Sequence, residues 1–182
     1  MNRRELMQMI AAVTGTTMVT PKLAWSYQDT EVGENIFSDE DAAFLDEVGE
    51  VIIPQTDTPG AKDAAVGAFM TVYVSDCYDA EAQQGFRDGM DQLKARATEA
   101  GTDFMEMSPE QRLELITAVA TEAKEQSSQE EAEPHWFTPI HQLVLFGFFT
   151  SEPGATEVLR YEAAPGEYIG DLDYDGGPAW AT

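Results

Sequence analysis

The chain has 182 residues, of which 34 are acidic and 10 are basic, and its formal charge at pH 7 is −24. A charge of this sign repels nucleic acid and anionic lipid, so it excludes a nucleic-acid-binding function. The length and the apolar content of 43% suit one globular domain with its own hydrophobic core.

The first 26 residues have the pattern of a twin-arginine export signal. Arg3 and Arg4 form its charged region, and a weakly apolar stretch runs from Leu6 to Val19. That stretch is too short and too polar for a stable membrane span, which takes about 20 apolar residues. An ordinary secretory signal is the alternative, and Lys22, just past the apolar stretch, suits it poorly. We therefore expect export to the periplasm through the twin-arginine translocase, which carries proteins that are already folded.

No cofactor motif follows the signal. Without residues 1–26 the chain keeps 156 residues and a charge of −26. Cys77 is the only cysteine, so the chain can form no disulfide within itself and cannot hold a c-type haem or an iron–sulfur cluster alone. Glycine-rich nucleotide loops are missing, and His135 and His141 are six residues apart, which is not the i, i+4 spacing of helical metal ligands. We expect the cofactor that would justify folded export to lie in a partner.

Five helices are predicted from the helical spacing of apolar residues and from capping signals. The first helix begins after the cap Ser38 and ends before Pro54, and the second runs from Val66 to Cys77. The third runs from Asp79 to about Ala100, the fourth begins after Ser108, and the fifth runs from Trp136 to Phe149. The fold class is therefore mostly α, with a single helical domain over residues 36–150. An extended C-terminal arm is expected over residues 151–182, where no helical period remains.

The fifth helix and the arm are the candidate surfaces for another protein. The run from Trp136 to Phe149 is apolar all round, which is typical of a central buried helix or of a helix partly covered by a partner. Trp136 and Phe137 could form an interface hot spot or could close the end of that helix, and both interpretations stay open. The arm keeps Tyr161, Tyr168, Tyr174 and Trp180 without a core of its own, so we expect it to lie along a surface.

Two further positions have weaker alternatives. Cys77 lies on the apolar stripe of the second helix, which favours a buried thiol, and a disulfide to a partner subunit is the alternative. Asp171, Asp173 and Asp175 match the first half of a calcium-binding loop. The chain ends where the last calcium ligand belongs, so a solvated acidic turn is favoured and no metal site is expected.

Several segments, taken in order, resemble the gluconate 2-dehydrogenase subunit 3 family, and the likeness covers almost the whole chain. The segments are Asn2–Leu6, Leu45–Glu47, Ile53–Ala61, Gly147–Glu152, Gly154–Ala155, Leu159–Tyr161 and Pro165–Tyr168. Each segment alone is unspecific, and it is their order and spacing that carry the resemblance.

The resemblance implies a mostly helical, non-catalytic small subunit. Its partner would be a large FAD-containing flavoprotein of the glucose–methanol–choline type that oxidises a sugar, sugar acid or glycoside, and electrons often pass onward to a cytochrome c. The small subunit would carry the export signal for both chains. The resemblance gives no catalytic residues. The candidate interface residues are Trp136, Phe137, Arg160, Tyr161, Tyr168 and Trp180.

Two other functions are weighed against this one. A self-sufficient periplasmic hydrolase would use a pair of carboxylates, but in so acidic a chain any such pair is uninformative. A free-standing acidic binding protein of the periplasm would be a stable monomer with no large apolar patch. The exposed apolar surface is therefore the feature that distinguishes the second alternative from an accessory subunit.

Overall fold

The computed structural model describes residues 35–129, 132–164, 166, 170, 171, 173, 174 and 176–181. The α-helices in these residues are α1 (Asp39–Ile52), α2 (Val66–Cys77), α3 (Ala80–Glu99), α4 (Pro109–Ser127) and α5 (Phe137–Thr150). A 3-10 turn covers Phe104–Glu106 and a π-helical turn covers Gly154–Val158. The prediction of a mostly α fold with a single helical domain is confirmed. No helix of the described part of the chain is long and apolar enough to cross a membrane.

The helix ends follow the local signals in the sequence. Ser38 and Ser108 each form a capping box with the residue three positions later, at the starts of α1 and α4. Asp79 caps α3 by accepting a hydrogen bond from the Ala82 N–H at 2.9 Å. Gly101 follows α3 with φ at +109°, a conformation that favours glycine.

Helix α5 lies at the centre of the fold, which is one of the two interpretations of its continuous apolar character. It packs against each of the other four α-helices and against the π-helical turn. Its buried side chains meet those of the other helices in one core, and the largest of the fully buried ones are Phe86, Phe104, Phe137, Phe148, Leu45, Met70, Leu93 and Ile140. Burial of so many large apolar groups is the main stabilising contribution in a domain of this size.

Helices α1 and α2 approach each other closely at Gly67. A Cβ atom built on Gly67 would lie 2.2 Å from the Ala42 carbonyl oxygen and 2.7 Å from the Asp46 backbone nitrogen. The Gly67 N–H, at the start of α2, donates a hydrogen bond of 2.7 Å to the Asp46 carboxylate. A side chain at position 67 would force the two helices apart, so glycine is required at this crossing.

An acidic residue of α1 also holds the connection between α1 and α2. The Glu50 carboxylate accepts hydrogen bonds from the Gln55 N–H at 2.8 Å and from the Lys62 N–H at 3.1 Å. The Ala61 N–H donates to the Ile53 carbonyl at 2.9 Å and closes the connection between α1 and α2. The connection between α1 and α2 is therefore fixed by hydrogen bonds from its backbone N–H groups.

A third acidic residue of α1 joins the connection to α4. Glu47 accepts a hydrogen bond from the Lys62 Nζ at 2.5 Å and another from the Arg112 guanidinium. Arg112 also donates to the carbonyls of Phe104 at 3.0 Å and Met105 at 2.7 Å, and its guanidinium lies 5.4 Å from the centre of the Phe104 ring. Arg112 thereby ties the 3-10 turn, α1 and α4 together.

The beginning of the arm contains a helical turn that the sequence analysis does not anticipate. The π-helical turn follows α5 directly, and the Ser151 hydroxyl accepts a hydrogen bond from the Gly154 N–H at 3.1 Å. A Cβ on Gly154 would lie 1.9 Å from the Phe148 carbonyl oxygen. The close approach of the π-helical turn to the end of α5 therefore requires glycine at this position. Because the segment forms only one turn, it is too short to show the apolar periodicity from which a helix could be predicted.

Candidate functional site

A cluster of aromatic rings lies on the surface where α2 and α5 pack together. We call Phe69, Tyr73, Tyr78 and Phe146 the aromatic face. The Phe69 ring centre is 5.4 Å from that of Tyr73 and 5.8 Å from that of Phe146, while Tyr73 is 5.6 Å from Phe146 and 6.0 Å from Tyr78. The first three rings are partly buried, whereas 46% of Phe146 is exposed. These distances and the tilted or edge-on angles are those of favourable aromatic pairs.

A glycine in α5 positions the face. A Cβ on Gly147 would lie 2.6 Å from the Phe69 Cδ1 atom, so the Phe69 ring occupies the space that a larger residue would fill. One helical turn along each helix, the exposed side chains of Val72 and Phe149 extend the apolar surface. The Phe149 ring packs on that of Phe148, with 5.2 Å between the ring centres.

The two helices that form the face are almost free of charge. Helix α5 carries no aspartate, glutamate, lysine or arginine, and α2 carries only Asp76. In a chain with 24% charged residues, the 26 residues of these helices would carry about six charges at the average rate. An exposed, uncharged aromatic surface of this kind is typical of the buried core of a protein–protein interface.

A groove continues from the face along α3. Its lining includes Tyr78, Gly85, Asp88, Trp136 and Pro139, and we call it the Trp136 groove. Because Tyr78 belongs to both the groove and the face, the two form one continuous surface. Burial is the main cause that raises the pKa of the Tyr78 hydroxyl, and the neighbouring Tyr73 contributes. Tyr78 therefore stays neutral at physiological pH and adds no charge to this surface.

The structure gives different surroundings to the two predicted residues at the start of α5. Trp136 is partly exposed and lines the groove. Phe137 is only 1% exposed and belongs to the core, so its assignment to an interface is wrong for the free chain. The reason is that Phe137 lies in the hydrophobic core that α5 forms with the helices packed around it. The expectation that Trp136 contacts a partner stays a prediction.

Cys77 is exposed at the end of α2, so the expectation of a buried thiol is wrong. It lies in the last turn of the helix, where the apolar stripe reaches the protein surface. Its position beside Tyr78 places the thiol at the edge of the aromatic face. A disulfide to a partner subunit stays a prediction.

In the C-terminal arm, two of the predicted interface residues pair with each other. The Arg160 N–H donates to the Ala179 carbonyl at 2.8 Å, and the Ala181 N–H donates to the Arg160 carbonyl at 2.9 Å. The Arg160 guanidinium lies 4.7 Å from the centre of the Trp180 ring. Tyr161, the next residue, is exposed. The end of the arm therefore returns to the end of the π-helical turn.

Several other predicted site residues lie outside the described residues, and the candidate calcium loop lies only partly within them. Arg3, Arg4, Leu6 and Tyr168 lie outside them, and so does Asp175 of the candidate calcium loop. Asp171 and Asp173 are exposed. Within the described ranges, no group of three histidine, cysteine, aspartate or glutamate side chains is placed to hold a metal ion.

A buried histidine stands at the entrance to α5, next to the groove. His135 is 8% exposed, its Nδ1 accepts a hydrogen bond from the Phe137 N–H at 3.2 Å, and its ring centre lies 4.9 Å from that of Trp136. Burial lowers the pKa of His135; Glu122 opposes this shift, and Arg96 adds to it. The neutral imidazole is therefore the form that the fold favours.

We expect the free energy of unfolding to fall between pH 7 and about pH 5.5. The histidine of the unfolded chain takes up a proton near pH 6.5, whereas folded His135 does so only at lower pH, so the unfolded state binds more protons in this interval. One such group contributes a slope of at most about 1.4 kcal/mol per pH unit. Denaturant titrations at both pH values measure the loss.

The variant His135→Asn keeps an acceptor for the Phe137 N–H and removes the titrating ring. It should show a smaller loss of stability over this interval than the parent chain, since carboxylates titrate mainly below it. The parent chain, measured over the same interval, is the control. An unchanged slope in His135→Asn would contradict the assignment.

Comparison with known proteins gives one match. The family model described as gluconate 2-dehydrogenase subunit 3 matches residues 39–166, which contain helices α1 to α5, the aromatic face and the Trp136 groove. No curated protein and no solved structure matches the chain.

Proposed function

The chain belongs to the gluconate 2-dehydrogenase subunit 3 family, and from that premise we propose that it is the non-catalytic subunit of a dehydrogenase complex and binds the catalytic subunit through the aromatic face. The observation that carries this proposal is the continuous surface formed by the face and the Trp136 groove. A subunit of a complex needs such a surface, and a free-standing binding protein does not.

The composition of the surface supports this role. Tyrosine, tryptophan and phenylalanine bury large areas at a small cost in conformational entropy, and interface hot spots are enriched in tyrosine and tryptophan. Phe146 is the most exposed ring of the face and stands next to Phe69 and Tyr73. A partner that covers Phe146 would also exclude water from the edges of the two partly buried rings.

The finer parts of the proposal rest on the resemblance and on the export signal. We propose that the partner is a large FAD-containing subunit of the glucose–methanol–choline type that oxidises a sugar, sugar acid or glycoside and passes electrons to a cytochrome c. We also propose that Arg3 and Arg4 direct the folded complex to the periplasm, so that this chain serves the export, folding and stabilisation of its partner.

Phe146→Glu is expected to weaken the complex by at least about 2 kcal/mol, or roughly 30-fold, because a buried unpaired carboxylate would replace an apolar contact. The measurement is the recovery of a flavin-containing partner when the tagged chain is purified from periplasm. Leu113→Glu is the matched control, since Leu113 is 55% exposed on α4, away from the aromatic face. It should recover the partner normally.

Both variants should keep the circular dichroism spectrum of the parent chain, since both positions are exposed. Normal recovery of the partner by Phe146→Glu would contradict the proposed interface. A parent chain that purifies as a colourless monomer would contradict the whole role and favour the free-standing binding protein.

Replacing Arg3 and Arg4 with lysine tests the export role. The twin-arginine route requires the pair, so we expect both this chain and its partner to be lost from the periplasmic fraction and to accumulate in the cytoplasm. Lys22→Gln, which leaves the pair intact, should keep both proteins in the periplasm. Continued export of the partner with the lysine variant would show that the partner does not depend on this signal.

A further inference from the structure

A histidine supplies hydrogen-bond acceptors at the start of α5. The first four N–H groups of a helix have no partner within it, and Trp136, which precedes α5, makes no capping bond through its side chain. The His135 Nδ1 accepts a hydrogen bond from the Phe137 N–H at 3.2 Å, and the His135 carbonyl accepts one from the Thr138 N–H at 2.9 Å. An imidazole nitrogen can accept only while it is unprotonated. The start of the central helix therefore depends on a neutral histidine.

Two contacts position the Trp136 side chain in the groove. The His135 ring centre lies 4.9 Å from that of Trp136, and the two rings are tilted by 37°. A Cβ built on Gly89 of α3 would lie 3.8 Å from the Trp136 Cε3 atom and 3.1 Å from the Trp136 carbonyl oxygen, so Trp136 packs directly on the α3 backbone. Both His135 and Trp136 line the groove. The turn that begins at His135 thus sets where Trp136 meets a partner.

A positive charge on His135 would be unfavourable for two structural reasons. The residue is 8% exposed, so its imidazolium form would lose most of its hydration. It also stands at the N-terminus of α5, where the helix dipole is positive. Both effects favour the neutral imidazole, and burial is the main cause that lowers its pKa.

The charged groups around this imidazole do not reverse the preference. Glu122 of α4 favours the charged form, and Arg96 of α3 disfavours it. Because these two side chains pair with each other at 2.9 and 3.1 Å, their effects oppose one another. Asp88 of α3 and Glu133, which precedes α5, are exposed carboxylates whose influence water screens. Tyr78, which also lines the groove, is neutral at physiological pH.

We propose that neutral His135 positions Trp136 for the catalytic subunit, and that protonation of His135 on acidification releases this subunit. The inference rests on the proposed function and adds a means of regulation to its interface. A protonated Nδ1 would oppose the Phe137 N–H instead of accepting from it, so the turn that carries Trp136 would have to rearrange. A subunit that covers the groove would also remove the water that still reaches His135, which favours the neutral form further.

The direction of the pH dependence follows from proton linkage. In the free folded chain the pKa of His135 lies below its ordinary value of 6.5, and burial in the complex would lower it further. Binding therefore releases a proton in the interval between these two pKa values, and the affinity falls as the pH decreases through that interval. One proton can change the dissociation constant by at most about tenfold per pH unit. The complex is thus tightest near neutral pH.

The dissociation constant between the tagged chain and the purified flavin-containing subunit tests the proposal, measured from about pH 7 to about pH 5 at constant ionic strength. We expect the parent complex to be about tenfold weaker at the lower pH. The variant His135→Asn keeps an acceptor for the Phe137 N–H, so it should bind near pH 7 and change by less than about threefold over the interval. Circular dichroism at each pH verifies that both chains stay folded.

Two further measurements separate the role of His135 from other causes. His141 remains in His135→Asn, with its ring 6.1 Å from that of Phe137, so any pH dependence due to His141 would persist in this variant. The variant Trp136→Ala should bind more weakly near pH 7 and show a smaller pH dependence than the parent, because His135 acts through this tryptophan. Calorimetric titration of the parent chain in two buffers of different ionisation enthalpy should detect the release of up to about one proton on binding below about pH 6.5.

The possible outcomes distinguish this inference from the proposed function. If the parent chain binds the subunit and loses it on Phe146→Glu, but His135→Asn keeps the parental pH dependence, only the present inference fails. The full parental dependence in Trp136→Ala would overturn the positioning role. If His135→Asn does not fold, the absence of proton release by the parent chain would still overturn the inference. A parent chain that does not bind the subunit even near pH 7 would contradict the proposed function itself.

Discussion

Gly67→Ala is expected to lower the free energy of unfolding by about 3 kcal/mol, which corresponds to a decrease in Tm of roughly 6–12 °C for a domain of this size. The added methyl group would lie 2.2 Å from the Ala42 carbonyl oxygen and 2.7 Å from the Asp46 backbone nitrogen. Both are backbone atoms of α1, so no side chain can rotate away to make room. The helices must separate, and the hydrogen bond from Gly67 to Asp46 would lengthen with them.

Gly85→Ala is the matched control, because it makes the same chemical change inside a helix. No atom lies within 4 Å of a Cβ built at Gly85, which sits in the interior of α3. Alanine there should stabilise the chain by about 0.5–1 kcal/mol through its higher helix propensity. Thermal unfolding of both variants measures the difference. A Gly67→Ala chain as stable as the parent would show that α1 and α2 do not approach as closely as described.

Arg112→Ala should cost about 3 kcal/mol, which is more than most ion pairs contribute. The Arg112 side chain is only 14% exposed, and its removal would leave the carbonyls of Phe104 and Met105 and part of the Glu47 carboxylate without their donor. It would also remove the cation from the Phe104 ring. Denaturant titration at neutral pH gives the change in the free energy of unfolding.

The pair Arg96–Glu122 provides the comparison for Arg112. It is bidentate, with distances of 3.1 and 2.9 Å, but its side chains are 41% and 44% exposed. Water screens such a pair, so Arg96→Ala should cost no more than about 1 kcal/mol. A double-mutant cycle of Arg112→Ala with Glu47→Gln then isolates their coupling. Equal costs for the two arginine variants would contradict the central role given to Arg112.

The helices could be predicted because their signals are local. Ser38 and Ser108 each stand three residues before a side chain that completes a capping box, and Gly101 supplies the left-handed residue that ends α3. The apolar run of the fifth helix similarly indicates a helix that is covered, either by the rest of the chain or by a partner. These features depend on residues within a few positions of one another, so the sequence is enough to recognise them.

The role of the acidic residues in α1 depends instead on contacts between distant positions. Asp46 meets the Gly67 amide 21 residues away, and Glu47 meets Arg112 across 65 residues. From the sequence alone, these carboxylates cannot be distinguished from acidic residues on a solvent-exposed helix face. Their actual role is to satisfy backbone amides and a nearly buried guanidinium, and no spacing rule within one helix could have predicted it.

The aromatic face could not be predicted from the sequence for a related reason. Phe69, Tyr73 and Cys77 continue the apolar stripe of α2, and periodicity alone predicts that all of them are buried. Which part of a stripe stays uncovered depends on where the neighbouring helices end. On α2, Met70 and Val74 are fully buried and Cys77 is exposed, and on α5 Phe146 is 46% exposed. The interface candidates from the sequence therefore included Trp136 but not Phe69 and Tyr73 of α2.

The place of α5 in the chain has a consequence for the timing of synthesis. The helix at the centre of the core is also the last α-helix of the described chain, at residues 137–150. While the ribosome is still making residues before 137, α1 to α4 have no central element to pack against and expose their apolar sides. The arginine pair at the N-terminus, by contrast, emerges first. If the arginine pair directs export through a route that accepts only folded chains, as we propose, that route could accept this chain only after nearly the whole protein has been translated.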